Sequence, residues 1–191
     1  VYQRTLPLSI VPGLYEFAKV NGCGLITYQG EGVISAFEPD KYVQLEARIN
    51  GIPIKVVDNF VEYVKFDINK CLMTAPEEIA PELEKQLQEK YSDVASIYRS
   101  EPYFIEIMPK DVNKATSLDH MLEGMGLTRE NAICCGDGYN DISMIEYAGT
   151  GVAMGNAQPA VKEAADYITG TNDEDGLVEV IDKFIMKPEQ A

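Results

Sequence analysis

The sequence lacks the features that mark membrane, secreted and nucleic-acid-binding proteins. No stretch reaches the roughly 18 consecutive apolar residues that a membrane span needs, and the start has no basic-then-apolar signal pattern. Lys and Arg number 16 against 31 Asp and Glu, a formal charge of −15. An anionic surface repels nucleic acids and anionic membranes, so we expect a cytoplasmic protein with neither partner.

Spaced cysteine pairs are also missing. None of the four cysteines forms a CxxC pair, and Cys134 and Cys135 are adjacent in an apolar run, where a disulfide between them is strained. We therefore expect reduced, buried thiols, as in most intracellular proteins. What the 191 residues do have is 46% hydrophobic residues, enough for one large domain or two small ones.

The pattern over residues 1–108 mixes hairpin-like strands with helices. It predicts an α+β module with a sheet covered on one face, and it holds no chemical motif. The predicted helices are 9–22, 40–49, one from 59 and 76–92, and the predicted strands are 24–28, 32–37, 52–57, 69–75, 94–100 and 103–109.

Residues 109–191 follow a different pattern, in which helix and strand alternate strictly. The predicted elements are helix 113–126, strand 132–136, a helix from 140, strand 151–154, a helix from 159, strand 166–170 and helix 176–185. Such alternation predicts parallel strands with crossover helices, so the fold class is α/β, part of a doubly wound sheet plus the α+β module. Ligands of such sheets bind at the carboxyl ends of the strands.

The run GDGYND begins where one of these strands ends. Asp137 follows the apolar residues 132–135, and Asp141 lies four positions later, across a loop that Gly138 allows to turn sharply. Two carboxylates there suit Mg²⁺, which takes one or two carboxylates plus waters and a substrate phosphate. The alternative is a helix cap, because Asp and Asn are common before a helix.

Lys114 stands in the first turn of the helix predicted at 113–126. A cation is unfavourable at the positive end of the helix dipole, so this placement indicates an anion nearby, such as a phosphate group. A surface lysine without a role is the alternative, and the neighbouring Lys110 is a second candidate for the phosphate-binding lysine.

Asn156, after the strand 151–154, either touches substrate or holds its loop. His120 falls in mid-helix, where a structural or exposed role is expected.

The last residues resemble the carboxyl-terminal core of Cof-like phosphatases, which belong to the haloacid dehalogenase superfamily and carry a large α/β cap. The resemblance rests on EIMPKDVNKATSL, AICCGDGYNDISMIEYAG, TGVAMGNAQPAVKEAADYITG and TNDEDGLVEVIDKF, between residues 106 and 184. It implies a cap at 1–108, the carboxyl-terminal part of the core at 109–191, and Mg²⁺-dependent hydrolysis of a small phosphorylated metabolite of the sugar-phosphate type.

The resemblance also implies roles for individual residues. Lys114 would stabilise the phosphate, Asp137 would be a magnesium ligand, and Asn140 would contact the phosphoryl group. Asp141 would support the metal site directly or through water, and Asn156 is a candidate substrate contact.

The family's nucleophile, an aspartate in a DxDG motif after an apolar strand, has no counterpart among these residues. The string DEDG at 173–176 follows TGTN instead of a strand, and Asp58, which follows an apolar run, has Phe60 where the second aspartate belongs. Because this motif is missing, we expect that the amino-terminal core segment is absent from this chain and that Val1, which stands in place of a Met, lies near the start of the cap. The chain alone should then be inactive.

Three interpretations stay open at this point. The chain is part of a phosphatase, a non-enzymatic phosphate-binding or metabolite-binding protein derived from the same fold, or a response-regulator-like domain with an acidic Mg²⁺ pocket. The third needs a phospho-accepting aspartate after an earlier strand, and none is evident. A core without its amino-terminal strands would expose a sheet edge, so self-association is expected.

Overall fold

The computed structural model describes residues 3–186. Val1, Tyr2 and the last five residues of the chain lie outside the described residues. The chain divides into two compact units, residues 1–112 and 113–191, each of which is described by itself. Among the described residues, no helix has the length and apolarity to cross a membrane. The assignment of 1–108 as cap and 109–191 as core stays a prediction.

A six-stranded sheet forms the centre of the first unit. Its strands are β1 (Gly24–Gln29), β2 (Gly32–Ser35), β3 (Ile54–Val56), β4 (Cys71–Thr74), β5 (Ala95–Glu101) and β6 (Phe104–Pro109). They lie in the order β3-β2-β1-β4-β6-β5. The predicted hairpin is confirmed, because β1 and β2 pair antiparallel across residues 30 and 31. All neighbouring pairs are antiparallel except β2 and β3.

The helices of the first unit start where the sequence provides caps. They are α1 (Val11–Val20), preceded by a 3₁₀ turn at Leu8–Ile10, α2 (Lys41–Asn50), α3 (Phe60–Tyr63) and α4 (Ala80–Tyr91). Asp40 begins α2 by accepting the backbone N–H groups of Tyr42 and Val43, both at 2.8 Å. Gly51, at φ 64°, ends the same helix in the left-handed conformation that favours glycine.

Both faces of this sheet carry apolar side chains. On one face, Leu25 and Met73 belong to a large buried cluster that includes residues of α1, α3 and α4. On the other, Ile26 and Leu72 pack with Val43 of α2, which is fully buried. The prediction of a sheet covered on one face is therefore wrong, because β1 and β4 alternate apolar residues on both sides and α2 uses the second set.

The second unit is the predicted alternation of strand and helix. Its strands β7 (Ile133–Gly136), β8 (Thr150–Ala153) and β9 (Tyr167–Ile168) are parallel and lie in the order β7-β8-β9. Its helices are α5 (Lys114–Met125), α6 (Ile142–Tyr147), α7 (Pro159–Ala164) and α8 (Gly176–Ile181). Short 3₁₀ turns occupy Arg129–Asn131, Tyr139–Asp141 and Asn172–Glu174, and a π turn occupies Asp182–Met186. The α/β fold class is confirmed.

The core of the second unit is small. Ile145 of α6, Ala153 and Met154 at the end of β8, and Ala157 and Val161 around α7 form its buried cluster. Along α5, Leu122 is buried while Ala115 and Leu118 are half-buried. Large apolar side chains stay exposed on α5 and α8, namely Met121, Met125, Leu177, Val178 and Ile181.

Candidate functional site

The carboxyl end of β7 carries the run GDGYND, as the sequence predicts. Asp137 follows the strand and is exposed, while Asp141, the last residue of the next 3₁₀ turn, is only 5% exposed. Gly136 makes this burial possible: a Cβ at Gly136 would lie 2.4 Å from the Cβ of Asp141 and 2.7 Å from its Oδ2. Only glycine lets the Asp141 carboxylate pack against the strand end.

Three donors surround the Asp141 carboxylate. Its Oδ2 accepts the backbone N–H of Asp137 at 3.0 Å and that of Gly138 at 3.1 Å. Its Oδ1 accepts the Nζ of Lys114 in an ion pair. A buried carboxylate is tolerated when it is paired and hydrogen-bonded in this way, and such charge-assisted bonds are stronger than neutral ones.

Lys114 reaches this carboxylate from the first residue of α5. The helix start is held by a capping box, in which the Asn113 side chain accepts the Thr116 N–H at 2.9 Å and the Thr116 hydroxyl oxygen accepts the Asn113 N–H at 3.1 Å. The Lys114 side chain stays 44% exposed, so the ammonium can face both Asp141 and a ligand. Lys110 donates instead to the carbonyl of Ser92 in the first unit.

Asn156 lies beside Asp137, beyond the end of β8. Its Nδ2 donates to Asp137 Oδ2 at 3.0 Å, and its Oδ1 accepts the backbone N–H of Asn172 at 3.1 Å. The loops after three neighbouring strands therefore meet through one side chain. Asn172 is not among the residues that the sequence predicts, although it follows β9 at the same edge of the sheet, where ligands of parallel sheets bind.

Asn140 stands between the two aspartates in the 3₁₀ turn and is half-buried. The structure thus brings Lys114, Asp137, Asp141 and Asn156 into one chain of contacts, with Asn140 inside the loop that they hold. The chemical roles of all five residues stay predictions.

A magnesium ion would find a pair of carboxylates here. No group of three or more His, Cys, Asp or Glu side chains within residues 3–186 is arranged to hold a metal. Both oxygens of Asp141 accept hydrogen bonds, from Lys114 and from two backbone N–H groups. Asp137 is exposed, and only its Oδ2 is described as accepting a hydrogen bond, from Asn156. Mg²⁺ keeps several waters and needs only one or two carboxylates. The residues fit such an ion: Asp137 would be the accessible ligand, and Asp141 would act through water.

Asp58 and Asp173, the two aspartates that resemble the family's nucleophile motif in part, do not occupy positions like that of Asp137. Asp58 is exposed and follows β3, a three-residue strand at the edge of the sheet in the first unit. Asp173 is exposed inside the 3₁₀ turn Asn172–Glu174, not at the end of a strand. His120 is partly exposed on α5 and lies 3.7 Å from Glu123.

The four cysteines are free thiols, of which Cys23, Cys71 and Cys134 are buried and Cys135 is half-buried. Burial raises the pKa of Cys134 and of Cys135, the two that lie in β7. A thiol is a nucleophile only as its thiolate, so these two are packing residues of the strand that presents Asp137.

Curated relatives share much of this sequence. The chain is 31% identical over 191 residues to the 5-amino-6-(5-phospho-D-ribitylamino)uracil phosphatase YitU of Bacillus subtilis, an alignment with 96% of this chain and 68% of the relative. It is 40% identical over 134 residues to YcsE of the same organism, which carries the same enzyme name, with 70% of this chain and 51% of the relative covered. The chain thus spans about half to two thirds of the length of these relatives.

Solved structures agree in fold. A haloacid dehalogenase-like hydrolase from Bacteroides thetaiotaomicron superimposes with a TM-score of 0.82 at 44% identity, over 95% of this chain and 68% of that one. A sugar phosphatase of haloacid dehalogenase subclass IIB superimposes with a TM-score of 0.80 at 28% identity, with the same coverage. The family model for haloacid dehalogenase-like hydrolases matches residues 1–181. The chain belongs to the haloacid dehalogenase-like hydrolase family.

Proposed function

We propose that this chain carries the metal-binding and phosphate-binding half of a Mg²⁺-dependent phosphomonoester hydrolase. The observation that supports it best is the contact of Lys114 with a buried Asp141, whose other oxygen is tied to the N–H groups of Asp137 and Gly138. This arrangement holds a cation and an accessible carboxylate side by side at the carboxyl end of a parallel strand, which is where such folds bind ligands.

Each residue has a defined task in this proposal. Asp141 fixes the ammonium of Lys114, which stabilises the negative charge of a bound phosphoryl group. Asp137 holds Mg²⁺, with Asp141 supporting it through water, and Asn140 donates to the phosphoryl oxygens. When bound, the ion neutralises charge that develops on the transferring phosphoryl group.

The attacking carboxylate lies, in this proposal, outside these 191 residues. Its oxygen forms a bond to phosphorus while the ester P–O bond breaks, and water then releases phosphate from the aspartyl-phosphate. Asp58 and Asp173 do not follow buried strands that could present them beside Asp137. The chain alone therefore should not hydrolyse a generic aryl phosphate. Turnover that needs Mg²⁺ and is lost on Asp58→Ala or Asp173→Ala would contradict this assignment.

The substrate is proposed to be a small phosphorylated metabolite of the sugar-phosphate class. The names of the relatives support this class, since they describe a phosphoribityl compound and a sugar phosphate. A net charge of −15 makes a local cation such as Lys114 necessary for holding an anionic substrate. A cytoplasmic location and the absence of nucleic-acid and membrane partners stay predictions.

Binding measurements on the pure chain test the site without requiring turnover. We expect Mg²⁺ to shift the amide resonances of residues 136–138, with this response reduced in Asp137→Ala. Inorganic phosphate should bind roughly 10- to 150-fold more weakly to Lys114→Ala, since a charge-assisted contact contributes about 1.5–3 kcal/mol. Lys110→Ala is the matched control, because this lysine bonds to Ser92. Equal phosphate binding by the two lysine variants would refute the site.

The alternative is a non-enzymatic protein that binds phosphate or a phosphorylated metabolite on the same fold. Two observations together favour it. The ion pair of Lys114 with Asp141 is in place, and no DxD aspartate pair follows an apolar strand in the sequence. The gene distinguishes the two: a reading frame upstream of Val1 that encodes an apolar strand ending in DxDG supports the hydrolase. A frame without such a strand supports the binding protein.

Self-association through the sheet of the second unit is part of the proposal. Within the described residues, β7 pairs only with β8, so its other edge presents unpaired backbone groups. Sedimentation velocity over a range of chain concentrations should detect association, and a monomer at all concentrations would contradict it.

A further inference from the structure

The contacts of Asn156 determine which end of its side-chain amide faces which neighbour. The backbone N–H of Asn172 can only donate, so the atom 3.1 Å from it must be the amide oxygen. The amide nitrogen then faces Asp137 Oδ2 at 3.0 Å, and an ionised carboxylate can only accept. The two neighbours agree on one orientation, and in it both polar ends of the Asn156 amide already have partners.

The backbone on either side of Asn156 is also held. The N–H of Gly155 donates to the carbonyl of Gly170 at 2.9 Å, and the Nζ of Lys162 donates to the carbonyl of Gly155 at 2.6 Å. On the other side, Glu174 accepts the N–H of Thr171 at 3.2 Å and its hydroxyl at 2.8 Å, which fixes the turn that presents the Asn172 N–H. The loops after β8 and β9 are therefore tied together before they reach Asp137.

From this geometry we infer that Asn156 is a positioning residue for Asp137, held in place by the backbone N–H of Asn172, and is not a substrate contact. By binding Oδ2, it turns the Asp137 carboxylate so that its other oxygen is available to Mg²⁺. The inference rests on the proposed function, since it assigns a partner to the metal ligand named there. It also predicts that a backbone group in the loop after β9 affects metal affinity without touching the metal.

Two substitutions break this chain of contacts at different points. Asn156→Ala removes the amide. Asn172→Pro removes the backbone N–H that orients it, and proline is tolerated at the first position of a helical turn. Thr171, at φ −70° and ψ 166°, already has the extended conformation that a residue before proline requires. Asn172→Ala keeps the N–H and is the reference for loss of the Asn172 side chain alone.

The measurement is the Mg²⁺ dissociation constant, from the amide shifts of residues 136–138, together with the dissociation constant of inorganic phosphate without Mg²⁺. We expect Mg²⁺ to bind about 10-fold more weakly to Asn156→Ala than to wild type, the size typical for a partner of a metal ligand. Asn172→Pro should likewise bind Mg²⁺ about 10-fold more weakly than Asn172→Ala. Phosphate affinity should be retained, because the ion pair of Lys114 with Asp141 does not involve the contacts that Asn156 makes with Asp137 and Asn172.

Other outcomes would overturn the inference in distinguishable ways. If Asn156→Ala weakens phosphate binding and leaves Mg²⁺ affinity unchanged, then Asn156 is the substrate contact that the sequence suggests. If Asn172→Pro and Asn172→Ala bind Mg²⁺ equally, the backbone N–H does not act through Asn156. If the wild-type chain shows no Mg²⁺ response at residues 136–138, the metal assignment of the proposed function fails first.

Discussion

The two units differ in how they use buried residues. In the first, a cluster that extends from Leu6 to Ile107 joins helices and strands, and the buried polar side chains among the described residues are Thr27, Ser35 and Thr74. In the second, the cluster around Ile145 and Val161 is small, and a charged group, Asp141, is buried beside it. Apolar packing holds the first unit together. In the second unit, part of the interior orients a carboxylate.

This difference shows why the candidate chemistry lies in the second unit. A buried carboxylate costs stability unless donors surround it. Asp141 has two of its three donors because the loop after β7 turns its own backbone N–H groups toward it, and Lys114 supplies the third. Parallel strands end at one edge of the sheet and bring several such loops together. The sheet of the first unit is antiparallel except for β2 and β3, so its strands do not end at one common edge.

Matched leucine truncations should show the largest difference between the units. Leu87→Ala in α4 removes a fully buried side chain from the large cluster, and we expect a loss of about 4 kcal/mol in the free energy of unfolding. Leu122→Ala in α5, where the side chain is 5% exposed and lies outside the buried clusters, should cost about 2 kcal/mol. Urea denaturation of both variants measures the difference, and equal losses would contradict the contrast between the cores.

Alkaline pH should destabilise the first unit through its buried thiols. Burial raises the pKa of Cys71 to about 12 and, together with Asp40, that of Cys23 to about 11, from 9.0. A raised folded-state pKa means that this stability is fully present below pH 9.0 and is lost as the pH rises towards 11 and 12. For Cys71 the loss is roughly 2–4 kcal/mol.

Urea midpoints measured from pH 8 to pH 11 test this expectation. Cys71→Ala removes one titrating group and should flatten the decline, even though the variant is less stable at neutral pH. Burial also raises the pKa of Tyr98 to about 12, so a residual decline near the top of this range is expected. A decline of the same steepness in Cys71→Ala would contradict the role of this thiol.

Two glycines of the second unit should respond in opposite directions to alanine, with the smallest effects. Gly136→Ala forces a methyl group against Asp141, and we expect a loss of about 1–3 kcal/mol together with weaker Mg²⁺ binding. Gly124→Ala in α5 meets nothing within 4 Å and should stabilise the chain by about 0.4–1 kcal/mol. Thermal unfolding and Mg²⁺ titration measure both variants. A neutral Gly136→Ala would mean that Asp141 does not pack against the strand end.

Much of the element order could be predicted from local patterns. Helix α5 was expected at 113–126 from its apolar spacing, and in the structure Asn113 and Gly126 cap it. The parallel strands β7 and β8 were expected from the alternation of elements. The helix expected from Asn59 is a single turn, and the strand expected at 166–170 keeps two residues, because short runs give weak periodicity.

The candidate site was only partly predictable. The position of Asp137 follows from an apolar run that ends in glycine, and the place of Lys114 from its helix start. Nothing local indicates that Asn172, sixteen residues beyond Asn156, donates its backbone N–H to that side chain. Lys110, the neighbouring cation, is separated from Lys114 by the fold as well: Lys110 donates to the Ser92 carbonyl, whereas Lys114 donates to Asp141.

The sequence by itself determined the alternation of helix and strand, the family, and the residue types at the end of β7, because periodicity, caps and glycine positions are local properties. The tertiary structure alone decided that β3 runs parallel to β2, that α2 covers the second face of its sheet, and that Lys114 and two N–H groups hold Asp141. These contacts join residues far apart in the chain, so they are chosen when sheets and helices pack.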